Sequence, residues 1–282
     1  MRRIDSVREV AAQYEAVLCD VWGVLHDGHH LYPGVADLLL ELRADGTIVL
    51  LLTNSPQPWP AIPDGLRRMG LPDEAWNAIV TSGDLTRVEL ARRSPGPVHR
   101  LGREVDGPLW EGLGLEFTGL SKARFVAIAG LRGPHESPAD YVPELRAARA
   151  RDLTLVCANP DLAVPAGDEL VWCPGAVARE YALLGGRVVL TGKPHAPIYE
   201  RARAEIERVA HRPVAWKQIL AIGDGITTDI VGANRMGLDS VFVASGINGH
   251  ALLRDGAVDV DAAQRALAES GAAATYVIDR LR

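Results

Sequence analysis

Eight short, uninterrupted apolar runs constrain this chain most: Ala16–Cys19, Thr47–Leu52, Ala78–Val80, Phe125–Ala129, Leu153–Cys157, Arg187–Leu190, Ile219–Ile222 and Ser240–Val243. Each has the length of a strand, and none alternates polar with apolar. A strand that presents apolar side chains on both faces must be covered on both faces, which is the condition of a parallel sheet sandwiched by helices. Helical patterns lie between the runs. From Pro33 to Gly46, Val35, Leu38, Leu39 and Leu42 fall on one face, with proline at the start and glycine at the stop. Ile198, Ala202, Ile206 and Val209 make a second such face, and Asp229 to Met236 a third helix ended by Gly237. Strand, helix and strand at this spacing are βαβ units, so the expected class is α/β with a largely parallel sheet.

The 282 residues suffice for one large or two modest domains with a core that needs no staples. The middle of the chain departs from the pattern. Residues 94–120 are rich in Gly and Pro, and 130–140 and 160–168 read as loops, with shorter strand–helix pieces between. We read 85–186 as an inserted domain and 1–84 with 187–282 as a discontinuous core; Val98–Gly102 fits either side. The balance of 36 acidic to 30 basic residues, net −6, with no basic block, makes the chain a poor candidate for non-specific binding to nucleic acid or anionic membranes. No apolar run approaches the roughly 18 residues of a membrane span. Cys19, Cys157 and Cys173 are too few and too scattered for a disulfide framework or a zinc site. The N-terminal segment carries Asp5, Glu9 and Glu15 where a signal peptide would be apolar, and reads as a surface helix. A reducing cytoplasm is the expected location.

Four of the runs end in polar signatures: Asp20-Val21-Trp22-Gly23-Val24, Thr53-Asn54-Ser55, Thr191-Gly192-Lys193-Pro194 and Gly223-Asp224-Gly225-Ile226-Thr227-Thr228-Asp229. Ligands of open parallel sheets bind beyond the carboxyl ends of the strands. If the four strands share a sheet, Asp20, Asp224 and Asp229 converge with one lysine and the polar groups of Thr53 and Asn54. Three carboxylates repel unless a cation sits among them. Oxygen donors on short loops suit Mg²⁺, which a substrate phosphate completes. The residues by themselves therefore give a Mg²⁺ and phosphate site. Lys193 is one of only three lysines, with Lys122 and Lys217, among 30 basic residues. Where arginine is so favoured, a lysine at a strand end marks a place for a compact charge.

The order of these motifs resembles the haloacid dehalogenase (HAD) superfamily. The insert between the second and third motifs, with Ala158-Asn159-Pro160-Asp161 and Pro174-Gly175, resembles subfamily IIA, phosphatases of sugar phosphates, nitrophenyl phosphate and pyridoxal phosphate with a C2-type cap. The resemblance covers nearly the whole chain. It implies a Rossmann-like core, an α/β cap and a small phosphorylated substrate. It also implies that Asp20 is a nucleophile forming an aspartyl-phosphate, and that Asp20, Asp224, Asp229 and the Trp22 carbonyl surround Mg²⁺. Thr53, Asn54 and Ser55 would hold the phosphoryl group, and Lys193 would neutralise it. Many members are dimers, so a homodimer is one expected state, although no feature of the sequence identifies an interface.

One position departs from the family. The residue two after the nucleophile is ordinarily a second Asp, the general acid/base, and here it is Trp22. Such a group contributes about 10²–10⁴-fold. Its loss implies a phosphatase that is slow or restricted to good leaving groups. The alternatives are a non-catalytic phosphometabolite-binding or regulatory protein on the same fold and, disfavoured by the metal signature, a dehalogenase-like or C–P-cleaving enzyme. Asp27, in His26-Asp27-Gly28-His29-His30, could replace the acid, but reads more simply as a polar turn. Asn159-Pro160-Asp161 likewise reads as a turn ahead of a substrate-facing role for Asp161. Ser82 or Asp84 reads as a helix cap. Trp59, Trp76, Trp110, Trp172 and Trp216 read as packing residues, and Cys19 as a buried strand residue.

Overall fold

The computed structural model describes residues 1–103, 107–166 and 169–282. Its strands are β1 (Arg2–Arg3), β2 (Ala16–Cys19), β3 (Ile48–Thr53), β4 (Ala78–Thr81), β5 (Val98–Leu101), β6 (Phe125–Ile128), β7 (Thr154–Cys157), β8 (Ala163–Ala166), β9 (Glu169–Trp172) and β10 (Arg187–Leu190). They continue with β11 (Ile219–Gly223), β12 (Asp239–Val243), β13 (Leu253–Arg254), β14 (Ala257–Val258) and β15 (Tyr276–Ile278). A seven-stranded sheet runs β1-β15-β12-β11-β2-β3-β4, and a four-stranded sheet runs β10-β7-β6-β5. Every pairing in both sheets is parallel. β8 with β9 and β13 with β14 are antiparallel hairpins.

The unbroken apolar runs fold this way because each strand feeds two cores. In the larger sheet Val17, Cys19, Val49, Leu51, Leu220 and Ile222 face one side, against Leu38, Leu39 and Leu42 of helix Val35–Ala44. Their neighbours Leu18, Leu50, Leu52, Ile219 and Ala221 face the other, against Ile198, Ala202 and Ile206 of helix Ala196–Ala210. Adjacent residues of a strand point to opposite faces, so both parities must be apolar. The smaller sheet repeats the arrangement. Val126, Ile128, Leu155 and Cys157 pack on Leu145, Val177 and Tyr181, while Phe125, Ala127 and Val156 pack on Leu90, Leu109 and Trp110.

Several expectations need correction. Arg187–Leu190, expected in the core sheet, pairs with β7 in the smaller sheet. Its apolar run could serve either sheet, and a strand's partner is set by the crossover rather than by local sequence. The expected boundary at 84/85 falls inside helix Ser82–Ala91, whose Leu90 packs with the smaller sheet. Val98–Leu101 joins that sheet through β6. The N-terminal segment is not a surface helix. β1 extends the large sheet beside β15, and the short helix Arg8–Ala11 buries Val10 and Ala11. Part of the expected loop 160–168 is the strand Ala163–Ala166 of a hairpin. Residues 104–106 and 167–168, within the expected loops 94–120 and 160–168, lie outside the described residues. Trp76 and Trp110 are buried as expected, but Trp59 and Trp172 are about half exposed, at 50% and 47%. Among the described residues, no helix is long and apolar enough to cross a membrane.

Candidate active site

β11, β2 and β3 are consecutive in the large sheet, so their carboxyl ends deliver Asp20, Thr53, Asn54 and Asp224 to one edge. The backbone N–H of Asp20 still donates to the Ile222 carbonyl (2.9 Å), which fixes the level at which the side chain leaves the sheet. Lys193 arrives from the other sheet. After β10 the chain crosses at Thr191, whose hydroxyl lies 3.0 Å from the Ser82 hydroxyl and 2.6 Å from that of Thr86. The next two residues bring Lys193 between two carboxylates. Its Nζ donates to Asp20 Oδ1 at 2.6 Å and to Asp229 Oδ1 at 2.7 Å, with Lys193 only 3% exposed. Asp20, Asp224 and Asp229 are all buried, with ligand atoms within 4.8 Å of one another.

The cluster has more negative than positive charge. Burial pushes the Asp20 carboxyl above its ordinary range, although the Lys193 charge pulls it back. Burial, and then the charges of Asp20 and Asp229, push Asp224 well above that range. Burial and then Asp20 push Asp229 to about 6. Burial pulls the Lys193 ammonium down, but Asp20 and Asp229 outweigh it and hold the group well above an ordinary lysine. Three carboxylates that resist ionising together, all oxygen donors and balanced by one ammonium, fit a hard divalent cation.

Glycines seat these carboxylates. Gly23 has φ +84°, and a Cβ there would stand 2.3 Å from Asp224 Oδ2; a Cβ at Gly246 would stand 1.8 Å from the same atom. A Cβ at Gly223 would meet Asp229 Cγ at 2.2 Å. Gly23→Ala therefore carries backbone strain of about 1–3 kcal/mol and displaces Asp224. Its expected result is a lower Tm together with weaker divalent-cation binding by isothermal titration calorimetry. An alanine variant that binds the cation like wild type would show that Asp224 needs no such seat.

A cavity of about 280 Å³ opens on this edge, and Asp20, Thr53, Asn54, Ser55, Lys193, Asp224 and Asp229 all line it. Trp22 lines it too, with 36% exposure. Its indole lies edge-on to His26, 5.3 Å between ring centroids. It also covers Gly28, where a Cβ would strike the ring at 2.6 Å. The second motif also makes hydrogen bonds within the protein. Thr53 Oγ1 accepts the Ser55 N–H, and Ser55 Oγ accepts the Gln57 N–H, which shapes the loop. Asn54 is a cross-link: its Oδ1 accepts the Lys193 N–H at 2.7 Å, and its Nδ2 donates to Asp161 Oδ1 at 2.8 Å.

Asp27 is the expected turn and does not line the cavity. Its Oδ1 accepts the N–H groups of His29 and His30, and those bonds, His30 first, lower its pKa. His29 and His30 are exposed, but His26 is buried and its Nδ1 accepts the Gly28 N–H. Thr81 is the cap of helix Ser82–Ala91, with Asp84 completing a capping box. Cys19 is buried, and burial holds its thiol well above the ordinary range. Sequence reasoning missed Arg103, Gln57 and Ile247 on the cavity wall. It had no signal for Ile247, whose backbone N–H donates to Asp224 Oδ2 at 2.7 Å.

Comparisons with known proteins place the chain in a family. A family model described as haloacid dehalogenase-like hydrolase matches residues 17–116, and a second, HAD-hydrolase-like, matches 190–282. The chain is 27% identical to chronophin of Rattus norvegicus, covering 86% of this chain and 80% of that protein. It is 27% identical to an acid sugar phosphatase of Staphylococcus aureus, covering 84% and 88%. Among solved structures, a haloacid dehalogenase-like hydrolase from Brucella suis superposes with a TM-score of 0.88 at 35% identity, covering 99% of this chain and 100% of that one.

Proposed function

The chain belongs to the haloacid dehalogenase-like hydrolases, and on that premise we propose that it is a Mg²⁺-dependent phosphatase of a small phosphorylated molecule in the cytoplasm. The observation that carries the reading is Lys193, buried between Asp20 and Asp229 beside Asp224 at the floor of a cavity. Asp20 is the nucleophile. Its free oxygen attacks phosphorus, the bond to the leaving oxygen breaks, and an aspartyl-phosphate forms that water then hydrolyses. Asp20, Asp224 and Asp229, with the Trp22 carbonyl, would hold Mg²⁺, which supplies positive charge to the phosphoryl oxygens. Lys193 orients the Asp20 carboxylate and neutralises developing charge. Thr53 and Ser55 present the motif-two loop to the phosphoryl group, and Asn54 ties that loop to Lys193. The four-stranded sheet and its hairpin, about residues 85–186 with β10, act as the cap, since Ala163 and Val164 reach the cavity wall.

Trp22 shapes the activity. The indole N–H is far too weak an acid to protonate a leaving group at neutral pH, so position 22 supplies no general acid, and low-pKa leaving groups are favoured wherever no other group supplies one. The test is phosphate release from p-nitrophenyl phosphate and acetyl phosphate, with and without Mg²⁺. Steady release that needs Mg²⁺ is expected. Absence of release from a protein that binds Mg²⁺ would instead support a binding role. Trp22→Asp is expected to raise turnover of alkyl phosphates more than that of p-nitrophenyl phosphate, read as kcat/KM.

A further inference from the structure

With tryptophan at position 22 and Asp27 folded into a turn, the cavity wall contains one carboxyl outside the Asp20–Asp224–Asp229 cluster among the described residues. It is Asp161. We infer that Asp161, from the opposite sheet's loop, is the general acid/base of the phosphatase reaction proposed above, standing in for the group that Trp22 lacks.

Three contacts hold Asp161 in place. Its N–H donates to Asn159 Oδ1 at 2.9 Å, closing a tight turn. Helix Pro174–Leu183 begins so close beneath it that a Cβ on Gly175 would stand 2.4 Å from the Asp161 carbonyl oxygen. Its Oδ1 accepts the Asn54 Nδ2–H at 2.8 Å, which places the side chain directly above the loop after β3. One oxygen is thus anchored to the phosphate-loop residue, and Asp161 lines the same cavity as Asp20. Titratable groups face Asp161 from several elements: Lys193 and Asp229 from the floor, Asp20 beyond them, and Cys157 and Cys173 behind. Burial, more than Lys193 or the Asn54 hydrogen bond relieves, raises its pKa, and both thiols are pushed up to about 12 and stay neutral.

The proton accounting closes over two steps. As Asp20 attacks phosphorus, the protonated Asp161 carboxyl gives its proton to the departing oxygen, the P–O bond breaks, and the alcohol or phenol leaves. Asp161 is then a carboxylate. It takes a proton from the incoming water as the water oxygen bonds to phosphorus and the bond to Asp20 breaks, releasing phosphate and restoring the acid.

The test compares phenyl phosphate with p-nitrophenyl phosphate, which share a shape but differ in leaving-group pKa. Asp161→Asn keeps an acceptor for Asn54. It is expected to cut kcat/KM on phenyl phosphate by about 10²-fold and on p-nitrophenyl phosphate by far less. In a Trp22→Asp background, the difference between the substrates should vanish. Equal losses on both substrates would make Asp161 a structural anchor, and no loss, or a selective loss that persists beside Trp22→Asp, would equally overturn the inference. Wild-type turnover that depends on Asp20 would still support the phosphatase reading in each of those cases. A wild type inert on both esters overturns the phosphatase reading itself.

Discussion

Asp20→Asn is expected to lower turnover of p-nitrophenyl phosphate by at least about 10⁴-fold, the scale on which removal of a covalent nucleophile acts. An amide oxygen in the same place cannot form the phosphoryl ester, whatever else the site retains. The fold should survive. Asp20 is one of three mutually repelling buried carboxylates, and burial already raises its pKa. A raised carboxyl pKa means that the charged form weighs against the folded state once the pH exceeds the unfolded value, so a neutral amide relieves part of that cost. Lys193 keeps its second partner, Asp229, at 2.7 Å. Differential scanning fluorimetry in the absence of Mg²⁺ should therefore show a Tm no lower than wild type, while the rise in Tm that Mg²⁺ gives wild type shrinks. Full activity in the Asn variant would remove Asp20 from the nucleophile's role, and inactivity with a collapsed Tm would leave that role unsupported by this variant.

The site was legible where chemistry sits at strand ends. Asp20 and Asp224 follow β2 and β11, buried on both faces and therefore apolar in sequence, so the first polar residue after each run stands out. Lys193 was legible for the same reason, even though its strand lies in the other sheet. The sheet membership of Arg187–Leu190 was not legible, because Arg-Val-Val-Leu satisfies either sheet and its partner Thr154–Cys157 is chosen by tertiary packing. β1 left no signal at all. Arg2–Arg3 is exposed and charged, and pairs with Tyr276–Val277 at the far end of the chain. Asn54 shows the limit for single residues. Its amide, expected at the phosphate, also joins Lys193 and Asp161, partners 139 and 107 residues away. Such non-local hydrogen bonds have no periodicity to betray them.

Lys193 should be the least replaceable of the three lysines. Lys122 and Lys217 are exposed, and arginine at either is expected to leave turnover unchanged. At Lys193 the ammonium fits within 2.6 Å and 2.7 Å of two carboxylate oxygens, with the residue only 3% exposed. A guanidinium is planar and wider, and cannot replace a point donor there without moving Asp20 or Asp229. Lys193→Arg should therefore cost about 10²-fold or more in kcat, the loss seen when one preorganised donor at a reacting centre is displaced. Lys193→Met should cost more, and in a different way. It leaves Asp20 and Asp229 buried without the ammonium that bridges them, and breaking a buried pair from one side costs about 3–5 kcal/mol. Without Mg²⁺ the Met variant should melt well below wild type. Added Mg²⁺ should restore much of that stability, because it supplies the missing positive charge, but not the turnover, because the donor beside Asp20 is still absent. Recovery of both by Mg²⁺ would reduce Lys193 to charge balance, whereas stability restored with activity still lost separates its part in the reaction from its part in the fold.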